Sequence, residues 1–147
     1  MKSKIILGTV KFGIKYGINN FFRISKKDVF SILEYAYEKK IKILDTAEDY
    51  GESQNIIGMF LKENPTKKFK IISKLSSNIN IKKNQLKDRI KFNCEILNTK
   101  KLHSYMIHNY NFFKDNMFLY DDLIRAKELG IIKSIGISLY DNDSIND

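Results

Sequence analysis

The chain has 147 residues, 43% of them hydrophobic and 12% aromatic, which is enough apolar material for one buried core and too much for a disordered polymer. Its formal charge of +9 rests on lysine pairs (Lys26-Lys27, Lys39-Lys40, Lys67-Lys68, Lys82-Lys83, Lys100-Lys101) spread over successive element ends with no zinc-ligand or RNA-binding motif, which argues against nucleic acid and leaves a general attraction for phosphorylated small molecules. No run approaches the roughly 18 apolar residues of a membrane span, Met1-Lys2-Ser3-Lys4 leads into no cleavage site, and the lone Cys94 cannot close an internal disulfide, so a cytoplasmic chain with no membrane partner is expected.

Hydrophobic periodicity alternates between strand and helix along the chain. A first strand is predicted over Lys4–Val10, with glycines Gly8, Gly13 and Gly17 in and after it. Ser25-Lys26-Lys27-Asp28 reads as a helix start, since a serine hydroxyl and a following acid satisfy free amides at a helix N-terminus, and Val29, Ile32, Leu33 and Ala36 follow at helical spacing. Strand two is Ile41–Leu44. Ser53 is the predicted cap of a second helix, with Ile56, Ile57, Phe60 and Leu61 on its inner stripe and Asn64-Pro65 at its end.

Strand three covers Phe69–Ser73. A third helix is predicted over about Asn84–Leu97, with Leu86, Ile90, Cys94 and Leu97 inward, and Cys94 there is an inert packing residue. Strand four is Leu102–Ile107, and a fourth helix over about Asn116–Leu129 stops at Gly130, the residue suited to a left-handed turn. Strand five is Ile131–Ile137, after which Asp141-Asn142-Asp143-Ser144 opens another helix.

Five strands alternating with helices imply a parallel sheet with right-handed crossovers. A doubly wound sheet would carry a glycine-rich phosphate loop after strand one, and the spacing of Gly8, Gly13 and Gly17 does not supply it. A β/α barrel instead draws its reactive residues from the C-terminal ends of adjacent strands. Asp45, Lys74 and His108 stand just past strands two, three and four, and Tyr50-Gly51 follows Asp45 by one short loop.

These side chains suit the reduction of a carbonyl. An oxyanion formed at carbon must be protonated by a donor within hydrogen-bond reach, and Tyr50 is the candidate acid. Lys74 is a cation able to stabilise the phenolate, Asp45 compensates an otherwise unpaired ammonium, and His108 donates a hydrogen bond that orients the substrate oxygen. Each has a plainer alternative alone: a loop cap, a packing tyrosine, a solvated lysine, a strand-end polar residue. His103, five positions before His108, points to the opposite face of a regular strand.

Taken together, Gly8-Thr9-x-x-Phe12-Gly13, Asp45-Thr46-Ala47-x-x-Tyr50-Gly51-x-Ser53, Lys74, His108 and Gly136-Ile137-Ser138 resemble the aldo-keto reductases, in order and across the whole chain. The resemblance implies a (β/α)8 barrel, a reduced nicotinamide cofactor, usually NADPH, and an aldehyde or ketone substrate. It implies Asp45, Tyr50, Lys74 and His108 as the catalytic set, and Ser138 with Gly8 and Thr9 beside the nicotinamide. Leu139 stands where the family often has asparagine, and Gln54 where it commonly has glutamate.

The family barrel has eight strand–helix units, whereas five strands and four helices are read here. The expectation is therefore an incomplete barrel in one domain over residues 1–147. Its exposed sheet edges would call for self-association or a complementing C-terminal half. Two further readings stay open beside the reductase: a catalytically silent half-barrel that acts as a self-associating module, and a basic nucleic-acid-binding domain, which the motif set disfavours.

Overall fold

The computed structural model describes residues 5–17, 22 and 24–140. Among these it holds five strands and six helices in the order β1 (Leu7–Gly8), α1 (Val10–Gly13), α2 (Lys26–Glu38), β2 (Ile43–Asp45), α3 (Ser53–Glu63), β3 (Lys70–Leu75), α4 (Leu86–Ile96), β4 (Leu102–Ile107), α5 (Tyr110–Asp115), α6 (Phe118–Glu128) and β5 (Ile132–Ile137). All neighbouring strands are parallel and their order in the sheet is simply β1-β2-β3-β4-β5. A doubly wound sheet would reverse direction at a switch point, so the sequential order settles the architecture as part of a barrel wall.

The strand register aligns the functional ends. Gly8 is opposite Asp45, Asp45 opposite Ile72, and Lys74 opposite Met106, which in turn faces Gly136. Because successive strand residues alternate faces, Ile71 and Leu75 turn to the helices while Ile72 and Lys74 turn to the concave side. The core lies between sheet and helices: Val29 and Leu33 of α2, Ile57 and Phe60 of α3, Ile90 of α4, and Leu119 and Leu123 of α6 are buried against Leu44, Ile71, Leu75, Tyr105 and Ile107. Cys94 is buried in the same cluster, and burial pushes its thiol up to about 11, so it stays a neutral packing group.

Some helix ends follow from local chemistry. Ser25 has an extended backbone and its Oγ accepts from Asp28 N at 3.1 Å, closing the first turn of α2. Gly130 takes φ 71° after α6, and Asn98 takes φ 48° after α4. The expected strand one is shorter than predicted, since Val10 already belongs to the helical turn α1; Lys4 and the expected Asp141–Ser144 helix start lie outside the described residues. The four predicted barrel helices are α2, α3, α4 and α6, and two short helices join them among the described residues, α1 and α5, in the latter of which Asn109 accepts from Phe112 N at 2.9 Å.

Helix α3 departs from expectation at its start. Glu52, not Ser53, holds the cap position, and no side chain caps it. Gly58 on the same helix passes directly against the end of α4, where an added Cβ would come within 1.9 Å of the carbonyl oxygen of Ile96. Alanine is the better helix former by about 1 kcal/mol, but that gain is opposed by a clash with backbone that no rotamer change relieves. Gly58→Ala is expected to lower the unfolding free energy by about 1–3 kcal/mol in urea titration; a stabilised variant would show that the helices do not approach this closely.

Candidate active site

The site assembles around Lys74. This residue sits near the C-terminal end of β3, is only 5% exposed, and must therefore be compensated. Its Nζ reaches Asp45 Oδ1 at 2.5 Å, donates to the carbonyl of Thr46 at 3.1 Å and lies 3.4 Å from the Tyr50 hydroxyl. Three of the ammonium's donor directions are thus occupied by a carboxylate, a backbone oxygen and a phenol, all from β2 and the loop that follows it.

Tyr50 is held in turn by its loop. Its amide donates to Ala47 O at 3.2 Å, and its ring meets that of His108 edge-on, centroids 5.6 Å apart at 74°. Burial, followed by the carboxylate of Asp45, pushes the phenol up to about 12. The cation of Lys74, already neutralised by Asp45, does not outweigh these two effects. The phenol is accordingly kept in its protonated, hydrogen-donating form.

The structure brings Asp45, Tyr50, Lys74 and His108 to one rim. Gly8 and Ser138 line a concavity of about 430 Å³ together with Asp45, Lys74, Ile6, Ile72 and Met106. Thr9 is placed differently: it is fully buried, its Oγ1 donates to Asp45 O at 3.0 Å, and it accepts from Ser53 Oγ at 2.9 Å. Thr9 thereby fixes β1 to β2 next to the concavity rather than presenting its hydroxyl to it. Ser53 completes the join by reaching Thr46 Oγ1 at 3.2 Å, which is why its hydroxyl is unavailable as a helix cap. His103 lies about 16 Å up the strand from His108 at the usual rise per residue; burial and then the charges of Lys70 and Lys133 hold its imidazole below the ordinary range.

Two acids in the loop carry roles the motif did not disclose. Glu48 turns to the helix side, where its nearly buried carboxylate accepts from Arg89 Nη2 at 2.9 Å, Asn93 Nδ2 at 2.7 Å, Ser76 N at 3.3 Å and the Tyr105 hydroxyl. Burial, then Glu48, places Tyr105 well above the usual phenol range. Gln54 extends this network by donating to Ser73 Oγ and Asn93 Oδ1, both at 2.8 Å, two bonds that a carboxylate at this position would not make. Asp49 turns to the rim and pairs with His108 Nδ1 at 3.0 Å. The only sequence signal for either was their place between Asp45 and Tyr50.

The loop is also clamped from below. An added Cβ on Gly13 would fall 1.6 Å from the carbonyl oxygen of Tyr50 and 2.5 Å from Ser53 N, so the end of α1 lies directly under the backbone that carries the phenol. Gly51 takes φ 53° at the same crossing.

The Aldo/keto reductase family model matches residues 4–147, nearly the entire chain. The chain belongs to the aldo/keto reductase family. A candidate aryl-alcohol dehydrogenase of Schizosaccharomyces pombe is 34% identical to this chain over 76 residues, which is 49% of this chain and 22% of that protein. An aldo-keto reductase from Bacillus halodurans in its holo form shares the fold with a TM-score of 0.75 at 18% identity, covering 99% of this chain and 49% of that one. An aldo-keto reductase of Bombyx mori in complex with NADP gives a TM-score of 0.70 at 19% identity, covering 97% and 48%. The chain thus spans about half the length of these solved structures, and its fold is a partial TIM barrel.

The electrostatics of the rim have a sign that can be checked. Asp45→Asn removes a negative charge that raises the Tyr50 phenol and should bring it down toward the ordinary range, whereas Lys74→Met removes the adjacent cation and should drive it further up. Alkaline titration of tyrosinate absorbance, taken as a difference against Tyr50→Phe in each background, reads both shifts; equal titration in the two variants would separate Tyr50 from the ion pair.

Proposed function

We propose that this aldo/keto reductase chain carries the proton-donating part of an NADPH-dependent carbonyl reductase, with Tyr50 as the acid. The observation that carries the reading is the Lys74 ammonium, held 2.5 Å from Asp45 and 3.4 Å from the Tyr50 hydroxyl beside an open concavity. A protonated phenol next to a desolvated cation is a donor whose anion is stabilised only once the proton has left. A carbonyl oxygen at this rim takes the Tyr50 proton, Lys74 holds the resulting phenolate, and His108 orients the oxygen by hydrogen bonding.

The concavity suits the nicotinamide end of the cofactor. Its walls combine apolar Ile72 and Met106 with the Ser138 hydroxyl, a lining that accepts a flat ring and addresses an amide, and Gly8 leaves open space where a side chain would project. Ser138 would hold the amide, with Gly8 and the buried Thr9 shaping the adjoining wall. When bound, the reduced nicotinamide supplies the hydride. The substrate class is a small aldehyde or ketone.

A second reading, a catalytically silent half-barrel that self-associates, draws on the sheet order, in which β1 and β5 each pair on one side among the described residues. Fluorescence titration of the chain with NADPH, combined with its solution mass, separates the two: saturable binding supports the reductase, and its absence in an associated species supports the module. In the reductase, Tyr50→Phe is expected to lower turnover by about 10²–10⁴-fold with the NADPH dissociation constant unchanged, the range set by loss of a general acid. Retention of full turnover would remove Tyr50 from this role.

A further inference from the structure

Asp49 stands one residue before Tyr50, and both of its carboxylate oxygens are committed. Oδ2 meets His108 Nδ1 at 3.0 Å, and Oδ1 accepts from Ser76 Oγ at 2.5 Å. Ser76 is itself fixed, since its Oγ accepts from Asn78 N at 3.0 Å and its amide donates to Glu48. The His108 backbone is tied to the end of β3 through its amide, which donates to Leu75 O at 3.2 Å. The carboxylate and the imidazole therefore meet between two anchored segments that lie 59 residues apart in sequence.

The pairing decides which ring nitrogen carries the proton. An ionised carboxylate only accepts, so a hydrogen bond at Nδ1 requires Nδ1–H. The neutral ring then has a bare lone pair at Nε2, which has no protein partner among the described residues. No buried side-chain nitrogen or oxygen lacks a partner there, so Nε2 reaches solvent. In this tautomer His108 cannot donate to a substrate oxygen through Nε2 until the ring takes a second proton. The charge of that imidazolium is balanced by the same Asp49.

We infer that Asp49 is the positioning residue of the site: it fixes His108 in the Nδ1–H form and neutralises the doubly protonated ring that donates from Nε2 to the carbonyl oxygen. The role of the donated bond rests on the proposed reductase function, whereas the tautomer does not. Asp49 is not among the residues that line the concavity and acts through the ring. It differs in this from Asp45, which compensates Lys74 on the other side of the phenol.

The tautomer is measured directly by long-range proton–nitrogen correlation NMR on the uniformly labelled chain, without cofactor or turnover. The sequence has two histidines, and His103→Gln assigns the remaining signal to His108. The expected spectrum at alkaline pH shows His108 protonated at Nδ1 and bare at Nε2; a ring protonated at Nε2 overturns the inference whatever the activity. Asp49→Ala is expected to lose the Nδ1–H preference. Asp49→Asn, whose amide can donate as well as accept, no longer imposes Nδ1–H and is expected to weaken that preference too.

In the carbonyl-reduction assay both variants should lose about 10–100-fold in kcat, in line with removal of a carboxylate behind a functional imidazole, with NADPH affinity unchanged. A kcat that survives in both would overturn the charge-balancing role. Nδ1–H in a chain that neither binds NADPH nor reduces carbonyls would instead reject the reductase reading and leave the Asp49–His108 assignment standing.

Discussion

A buried ammonium has few stable arrangements, and the geometry of this rim follows from the one Lys74 adopts. Placing a cation at 5% exposure on β3 requires a carboxylate close by, and the register that sets Asp45 opposite Ile72 supplies it from β2. Once that pair is formed, the remaining donors of Lys74 fall on the loop leaving β2, at Thr46 O and the Tyr50 hydroxyl. Strand pairing, loop path and phenol placement are therefore consequences of one desolvated charge. Burial keeps the phenol protonated, and the carboxylate that satisfies the lysine adds to this by opposing ionisation of its neighbour.

The loop between β2 and α3 is held on two sides by consecutive acids of opposite orientation. Glu48 enters the helix-side network of Arg89, Asn93 and Tyr105, and Asp49 faces the rim and His108. This division lets a short segment be rigid without being buried as a whole. Two buried or half-buried carboxylates side by side would repel, and each is instead given its own cationic or donor partners.

Much of this was legible in the residues. The strand ends near Asp45, Lys74 and His108, the stripe Val29, Ile32, Leu33 and Ala36, and the Ser25 cap all follow from local periodicity and turn chemistry, although β2 and β3 run on far enough to include Asp45 and Lys74, which were expected just past them. What local patterns did not reveal is long-range. Ser53 reads as a cap because serine before an apolar stripe has that preference, yet its hydroxyl is claimed by Thr9, 44 residues away. Glu48 and Asp49 form no spacing motif, and their partners lie 27 to 59 residues distant. Helices α1 and α5 are only 4 and 6 residues long, too short to impose a period.

The crossing of Gly13 beneath the Tyr50 carbonyl gives the turn α1 a hold on a phenol whose ring it does not reach. With no room for even a methyl group, the two backbones are in direct register, so a displacement of the first helical turn is transmitted as a displacement of the phenol. Drift in that turn is thereby felt as a change in where the Tyr50 hydroxyl points, and position 13 is closed to side chains for a reason that concerns alignment more than folding.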